Sequence, residues 1–143
     1  MNNPDYIIYT DGGARGNPGP SGAGAVIQDS SGQVIKEVSQ FLGHQTNNYA
    51  EYEAVYLGLM TLRTVVSEKK RRETLVEIRL DSELVQKQLD HEYQVKEPTL
   101  WPQFMKIHNL RVKEFHKLQF VHVRRELNKH ADELANQAMD KGA

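Results

Sequence analysis

The chain has 143 residues, with 18 lysines and arginines against 19 acidic residues and a formal net charge of −1, so we expect one domain over residues 1–143 and no overall electrostatic attraction to a polyanion. The absence of cysteine excludes disulfides and thiolate metal sites. No segment is long and apolar enough to span a bilayer, and residues 1–9 lack the basic start and apolar stretch of a leader, so we expect a cytoplasmic protein without a membrane partner.

Strands dominate the first third of the chain. Residues 6–10 are aromatic and β-branched, as in a buried strand, which we expect to end before Asp11. Residues 16–22 are rich in glycine and proline and predict a loop. Residues 23–28 and 33–41 carry strand-like residues on either side of a turn-forming Asp-Ser-Ser-Gly sequence and predict a hairpin. The first three strands should therefore form an antiparallel meander.

Helical periodicity then predicts a long helix over residues 46–66, with Thr46, Asn47 and Asn48 as capping candidates. The remaining sequence predicts a charged connector, a strand, two helices, a strand and a closing helix, over residues 68–73, 75–80, 82–89, 100–112, 118–123 and 128–141 respectively. The closing helix should bury the apolar stripe formed by Ala131, Leu134, Ala135 and Ala138.

This order of elements indicates an α/β fold with a mixed sheet, in which an antiparallel region joins parallel strands. Right-handed crossovers place the helices on both faces of the sheet. If the strands at residues 6–10 and 75–80 are central parallel neighbours, a crevice opens at their carboxyl ends. We expect the functional site in that crevice.

Four acidic residues are predicted to meet there. Asp11 and Asp81 each directly follow one of the central strands, and Glu51 and Asp132 lie in the first turns of the long helix and the closing helix. Like charges at one place are unfavourable unless cations neutralise them or some are protonated. Carboxylates suit Mg²⁺ or Mn²⁺, and two such ions at one phosphodiester can promote its hydrolysis. Taken singly, each acid could instead cap a helix or complement its dipole.

Four segments carry a family resemblance: YTDGGARGNPGP at residues 9–20, TNNYAEYEA at 46–54, LDS at 80–82 and NKHADELA at 128–135. In this order, and over nearly the whole chain, they resemble the signature segments of the ribonuclease H type 1 family. The resemblance implies a ribonuclease H-like fold, with a five-stranded sheet in the order 3-2-1-4-5 whose first three strands are antiparallel.

The resemblance also implies an activity. It is that of an endonuclease that hydrolyses the RNA strand of an RNA–DNA hybrid by a two-metal-ion mechanism, leaving 5′-phosphate and 3′-hydroxyl ends. The metal ligands and catalytic residues would be the family's four acids, at Asp11, Glu51, Asp81 and Asp132. The cofactor would be two Mg²⁺ ions per site, with Mn²⁺ as a substitute, and we expect a monomer whose partner is the hybrid.

Small and polar residues near these acids predict how the hybrid is bound. Backbone amides with little side-chain bulk can approach a sugar-phosphate chain, at Gly12, Gly13, Ala14 and Gly16. Asn17, Asn47 and Asn48 carry amides that donate and accept hydrogen bonds, as contact with an RNA 2′-hydroxyl requires. The resemblance implies that Thr46 helps to hold a DNA phosphate. Asn47 and Asn48 could alternatively cap the long helix, and the two functions are compatible.

Several side chains have more than one interpretation. The basic run from Lys69 to Arg72 precedes a strand whose far end carries one of the acids, so we interpret it as a solvated loop at the opposite end of the sheet. His122 lies ten residues before the last acid, close to the separation of a loop histidine that assists proton transfer or product release in many family members, but its apolar neighbours predict a strand. Arg125 or Glu126 could assist proton transfer instead.

Two other functions fit parts of this pattern. A catalytically silent hybrid-binding module of the same fold would not need four mutually repelling carboxylates. A DNA strand-transfer nuclease of the wider fold group would share the metal site, but the three asparagines favour RNA recognition. Between His91 and Pro102 the chain lacks the long basic insertion that holds the hybrid in some family members, so we expect weaker hybrid binding than in those members.

Overall fold

A five-stranded sheet with helices on both faces is the central feature of the computed structural model, which describes residues 3–142. The strands are β1 (Tyr6–Ala14), β2 (Gly19–Asp29), β3 (Val34–Gln45), β4 (Leu75–Leu80) and β5 (Lys117–His122). The helices are α1 (Asn47–Leu62), α2 (Glu68–Arg71), α3 (Glu83–Leu89), α4 (Trp101–Lys113) and α5 (Lys129–Gly142). Within the described residues, none of the helices combines the length and apolar character needed to cross a bilayer.

The strands follow the order β3-β2-β1-β4-β5, which confirms the predicted mixed sheet. β1, β2 and β3 pair antiparallel, and β4 pairs parallel with both β1 and β5. In the ladder between β1 and β4, Thr10 lies opposite Leu80. Asp11 and Asp81 therefore occupy the next position along each of these neighbouring strands.

Alternation along the strands divides the core into two layers. Ile8 and Ile78 point to the face where α1, α3 and α4 pack, and they belong to the main apolar cluster. Val26 points to the other face and packs with Ala131 and Leu134 of α5. All four residues predicted for the inner stripe of α5 are buried, so this helix lies on the sheet as the sequence indicated.

The turn between β1 and β2 is shorter than the sequence predicted. β1 continues past Asp11, and β2 begins at Gly19 rather than at residue 23, so the loop expected over residues 16–22 is wrong in its second half. The glycines that suggested a break pair within the ladder. Their lack of a side chain allows helices to pass close to the sheet. A Cβ on Gly12 would lie 2.1 Å from a backbone oxygen of α1, and one on Gly22 would lie 2.6 Å from a backbone oxygen of α5.

The first helix begins as predicted but ends early. The Thr46 hydroxyl accepts a hydrogen bond from the backbone N–H of Tyr49, which confirms Thr46 as the N-cap. The helix ends at Leu62 rather than at residue 66, and Val66 is buried in the turn that follows. Val66 thus packs in the core without continuing the helix, whereas Val65 is exposed.

The basic run after this turn is not a solvated loop throughout. Part of it forms α2, and the largely buried Arg71 donates to the carbonyl of Val66 at 2.9 Å and to the carboxylate of Glu114 at 2.7 Å. Lys69 and Lys70 line a cavity together with Asp5, which precedes β1. The run therefore lies at the end of the sheet opposite the four acids, as predicted, but Arg71 stabilises the fold there.

Candidate active site

The structure brings the four predicted acids to one cleft of about 370 Å³ at the carboxyl end of the central strands. Asp11 lies within β1, Asp81 directly follows β4, and both point to the face of the sheet on which α5 packs. Glu51 comes from the second turn of α1 and Asp132 from the first turn of α5. Two strands and two helices, distant in sequence, thus each contribute one carboxylate.

Burial and crowding raise the pKa values of two of these acids. Loss of hydration raises the pKa of Asp11 to about 8, and the neighbouring carboxylates of Asp81, Asp132 and Glu51 add to this effect. Burial also raises the pKa of Glu51 to about 7, although a hydrogen bond with Ser82 opposes the shift. Near neutral pH these two carboxyls therefore tend to keep a proton, and a cation bound among the four acids would favour their ionised form.

Backbone packing and one buried amide hold the acids together. Because Gly12 lacks a side chain, α1 approaches β1 closely enough to place Glu51 beside Asp11. Asn128, which precedes α5 and is fully buried, donates its Nδ2 to the carbonyl oxygen of Thr10 at 2.9 Å. The backbone carbonyl of Asn128 accepts a hydrogen bond from the backbone N–H of Asp132 at 3.1 Å. Asn128 thus links the start of α5 to β1 at the residue that precedes Asp11.

Apart from the acids and the predicted substrate-binding residues, three residues line the cleft, and only Arg125 of these was considered from the sequence. The Nε of Arg125 lies 4.0 Å from the carboxylate of Asp81, and the Arg125 side chain is 88% exposed. Asn136 and Met139 complete the α5 wall of the cleft. Asn136 follows Asp132 by one helical turn, so helical spacing from an assigned acid is a signal that could have found it.

The donor set fits hard divalent cations. Carboxylate oxygens are the ligands preferred by Mg²⁺ and Mn²⁺. Within residues 3–142, no three acidic or histidine side chains are already spaced as a complete ligand set. Mg²⁺ usually keeps several waters and takes further oxygens from a substrate phosphate, so an open group of carboxylates is compatible with it.

Part of the set predicted to bind substrate lies along one flank of the cleft. Gly12, Gly13 and Asn47 line it directly. The Oδ1 of Asn47 accepts from the backbone N–H of Ala14 at 2.8 Å, and the Oδ1 of Asn17 accepts from the N–H of Asn47 at 3.0 Å. The backbone N–H of Ala14 therefore donates within the protein. The two side-chain oxygens are also used, which leaves the Nδ2 groups of Asn17 and Asn47 as the donors of these side chains.

Asn48 lies beyond this flank, in a neighbouring groove of about 530 Å³. Leu84 and Tyr93, both exposed, line the groove together with Lys96. The structure therefore separates the three predicted asparagines: Asn17 and Asn47 are hydrogen-bonded to one another beside the acids, and Asn48 faces the groove between α1 and the segment after α3.

His122 is placed on a strand, as its neighbours predicted. It is the last residue of β5 and lies opposite Leu80 in the parallel ladder. The backbone N–H of Val123 still donates to the carbonyl of Leu80 at 2.9 Å, so the chain remains paired beyond the histidine. His122 shares the sheet face of Leu80, whereas Asp81 points to the opposite face.

Comparison with known proteins identifies relatives over almost the whole chain. A family model described as reverse transcriptase-like matches residues 9–138. The structure of LC11-RNase H1, isolated from compost, has a TM-score of 0.91 and 48% sequence identity and covers 99% of both chains. A second structure shows LC11-RNase H1 in complex with an RNA/DNA hybrid.

Curated relatives differ in length. The ribonuclease H of Phenylobacterium zucineum is 31% identical over 157 aligned positions, covering 98% of this chain and 94% of that protein. A bifunctional protein of Mycobacterium tuberculosis is 37% identical over 138 residues, which are 96% of this chain but 36% of that protein. The chain thus spans about a third of the mycobacterial relative. From these matches and from the shared sheet, the chain belongs to the ribonuclease H type 1 family.

Proposed function

We propose that the chain is an endoribonuclease that hydrolyses the RNA strand of RNA–DNA hybrids, leaving 5′-phosphate and 3′-hydroxyl ends. The observation that carries this proposal is the convergence of four carboxylates from separate elements into one cleft, two of them with raised pKa values. Membership of the family and the hybrid complex of LC11-RNase H1 support the choice of substrate. The proposal treats residues 1–143 as one catalytic domain acting as a monomer in the cytoplasm.

Asp11, Glu51, Asp81 and Asp132 would hold the metal. When bound, two Mg²⁺ ions, with Mn²⁺ as a substitute, would stabilise the charge that develops on the attacking and leaving oxygens of the phosphodiester. Burial favours the protonated forms of Asp11 and Glu51. A nearby cation would favour their ionised forms, so metal binding would release these protons. Arg125, beside Asp81 and open to solvent, would meet an entering or leaving phosphate.

Substrate discrimination would come from the asparagine flank. In both Asn17 and Asn47 the carbonyl oxygen accepts a hydrogen bond within the protein, which directs the Nδ2 donors elsewhere. Donors held at the edge of a catalytic cleft fit the acceptors of an RNA minor groove, including the 2′-hydroxyl that DNA lacks. Gly13, where an added Cβ would meet only the Asn47 side chain at 3.9 Å, would let a sugar-phosphate chain approach the cleft.

The proposal is tested by incubating the purified protein with labelled hybrid, duplex DNA, duplex RNA and each single strand, with Mg²⁺ and with a chelator. We expect cleavage of the RNA strand in the hybrid alone, and only with the metal. Cleavage of duplex DNA would favour a DNA strand-transfer nuclease. Metal-independent binding of the hybrid without any cleavage would favour a silent binding module.

Asp11→Asn tests the assignment of the acids. This change keeps the shape of the side chain and removes one charge from the cleft, so we expect hybrid cleavage to fall by about a thousandfold or more, or ~4 kcal/mol of barrier. Glu133→Gln is the matched control, because it removes the same charge from an exposed residue adjacent to Asp132. Near-normal cleavage by Asp11→Asn would overturn the two-metal assignment.

A further inference from the structure

Beneath two of the four acids lies a side-chain pair that the proposed reaction does not use. Tyr9 and Arg79 face each other in the β1–β4 ladder, two residues before Asp11 and Asp81 respectively. Side chains two residues apart on a strand point to the same face, with a spacing of roughly 7 Å. The pair Tyr9–Arg79 therefore lies on the same face as the acids, one step further into the sheet.

Several contacts fix this pair. An Nη of Arg79 donates to the hydroxyl of Tyr9 at 2.6 Å, and the guanidinium carbon lies 5.3 Å from the centre of the Tyr9 ring. The Nε of Arg79 donates to the carboxylate of Glu77 at 2.6 Å. The side chains of Arg79 and Glu77 are 29% and 16% exposed, so solvent screens these charges only in part. Arg79 is thus held from two sides.

Tyr9 also reaches the helix that carries a third acid. Its ring packs against the apolar cluster of α5 formed by Ala131 and Leu134, the residues on either side of the turn that presents Asp132. Within the described residues, α5 makes its main contacts with β1, β2 and β3. Tyr9 therefore connects Arg79 of β4 to the apolar layer beneath α5.

We propose that Tyr9 and Arg79 are positioning residues that set the spacing of Asp11, Asp81 and Asp132 and thereby the affinity of the site for divalent metal. This inference rests on the proposed function, because it takes these acids to be the metal ligands. Outer groups that orient metal ligands typically influence metal affinity about 10- to 100-fold. The pair touches no reacting atom, so its effect should appear in metal binding and not in the affinity for hybrid.

The test measures Mg²⁺ binding to the full chain without substrate, by calorimetry and by the Mg²⁺-induced rise in Tm. For Arg79→Met and for Tyr9→Phe we expect Mg²⁺ binding weakened by about tenfold. The KM for hybrid at saturating Mg²⁺ should stay within about twofold of the wild-type value. Tyr9→Phe removes a single oxygen atom and keeps the ring, so it decides the question if Arg79→Met does not fold.

The direction of the effect separates positioning from simple electrostatics. Removing the cation of Arg79 would by charge alone strengthen the binding of another cation, so weaker Mg²⁺ binding would support positioning. Arg63→Met is the matched control, because Arg63 forms a half-exposed ion pair with Glu114 at 2.9 Å, at the end of the sheet far from the acids. This control should lose stability and keep its Mg²⁺ affinity.

The outcomes distinguish the inference from the function beneath it. If wild-type protein binds Mg²⁺ and both site variants bind it equally well, the positioning role is wrong while the proposed function stands. If wild-type protein binds no Mg²⁺ and cleaves no hybrid, the proposed function fails and this inference fails with it. Equal weakening in Arg63→Met would also overturn the inference, because the effect would then reflect stability alone.

Discussion

The buried carboxyl of Asp11 links the chemistry of the site to the stability of the fold. Its pKa is raised from 3.8 to about 8 in the folded chain, chiefly by burial. Between about pH 4 and pH 8 the unfolded chain therefore loses this proton while the folded chain retains it. A state that retains protons becomes less favourable as pH rises, so without metal this residue lowers stability progressively across that interval.

Asp11→Asn should accordingly stabilise the metal-free protein in a pH-dependent way. We expect the variant and the wild type to have similar unfolding free energies near pH 4, and the variant to become more stable towards pH 8. The gain should reach at least about 1.4 kcal/mol, which is the free energy represented by one pKa unit. Urea unfolding in chelator across this range measures it, and a constant difference between pH 4 and pH 8 would contradict the raised pKa.

We expect different effects from substitutions at His122, the last residue of β5, and at Arg125 in the segment that follows. His122 shares the sheet face of Leu80, away from Asp81, so His122→Ala should lower kcat by less than about tenfold, or ~1.4 kcal/mol. Arg125 lines the cleft, so Arg125→Ala should lower kcat/KM more than His122→Ala does. Arg124→Ala, which changes an exposed neighbour outside the cleft, and Glu126→Ala serve as comparisons.

A loss above about a hundredfold for His122→Ala, with unchanged Tm, would restore the histidine as a general acid or base, since such groups contribute ~10²–10⁴-fold. Equal effects of Arg124→Ala and Arg125→Ala would instead indicate a diffuse contribution of positive charge. Steady-state kinetics on the hybrid at saturating Mg²⁺ distinguishes these outcomes.

The approach of α1 to β1 shows how elements position residues that neither element could place alone. Glu51 reaches Asp11 because Gly12 allows the two backbones to touch, and the same residue type at Gly24 admits the start of α5, where a Cβ would lie 2.3 Å from the carbonyl of Ala131. In both contacts the helix residue that touches the strand, Ala50 or Ala131, directly precedes one of the acids. Helix docking and site assembly are thus the same event.

Gly12→Ala should therefore damage both stability and activity. The added Cβ would lie 2.1 Å from the carbonyl oxygen of Ala50, so α1 must move away from β1, at a cost of about 3 kcal/mol or more. Gly13→Ala is the matched control, since its Cβ meets only the Asn47 side chain at 3.9 Å and should change stability by less than about 1 kcal/mol. Equal unfolding free energies for the two variants would show that the close approach is not required.

The whole molecule carries a net charge of −1, yet its acids are unevenly placed. Four of them share one cleft, whereas the basic run lies at the far end of the sheet. An ion that binds this cleft has no equivalent site in the unfolded chain, so it stabilises the folded state by mass action. Because the acids are grouped in one cleft, a bound metal ion should stabilise the folded state more than a net charge of −1 would suggest.

Mg²⁺ should consequently raise the Tm of the wild-type protein. At a concentration 100 times its dissociation constant, an ion bound to the folded state alone contributes about 2.7 kcal/mol. Asp132→Asn should reduce this gain, while Glu133→Gln should keep it. Thermal unfolding with Mg²⁺ and with chelator measures the difference, and an identical rise in all three proteins would indicate non-specific binding at the surface.

The sequence by itself determined the order of elements, the mixed sheet and the set of four acids. The periodicity of apolar residues and the composition of turns are local properties of the sequence. The bounds of β4, α3 and α5 could therefore be predicted to within a few residues. The position of Asp11 and Asp81 after neighbouring strands then followed from topology, because parallel strands end at the same edge of a sheet. The family segments added the expectation of an activity, which periodicity cannot supply.

Only the tertiary structure decided what depends on partners distant in sequence. Arg71 looked like part of a solvated run but is held by Glu114, and Ala14 looked free to meet a phosphate but donates to Asn47. The break expected at the glycines after Asp11 is absent, because those residues pair in a ladder beneath two helices. Hydrogen bonds and close approaches are made between segments 30 or more residues apart, and no local pattern in a single sequence encodes which segments meet.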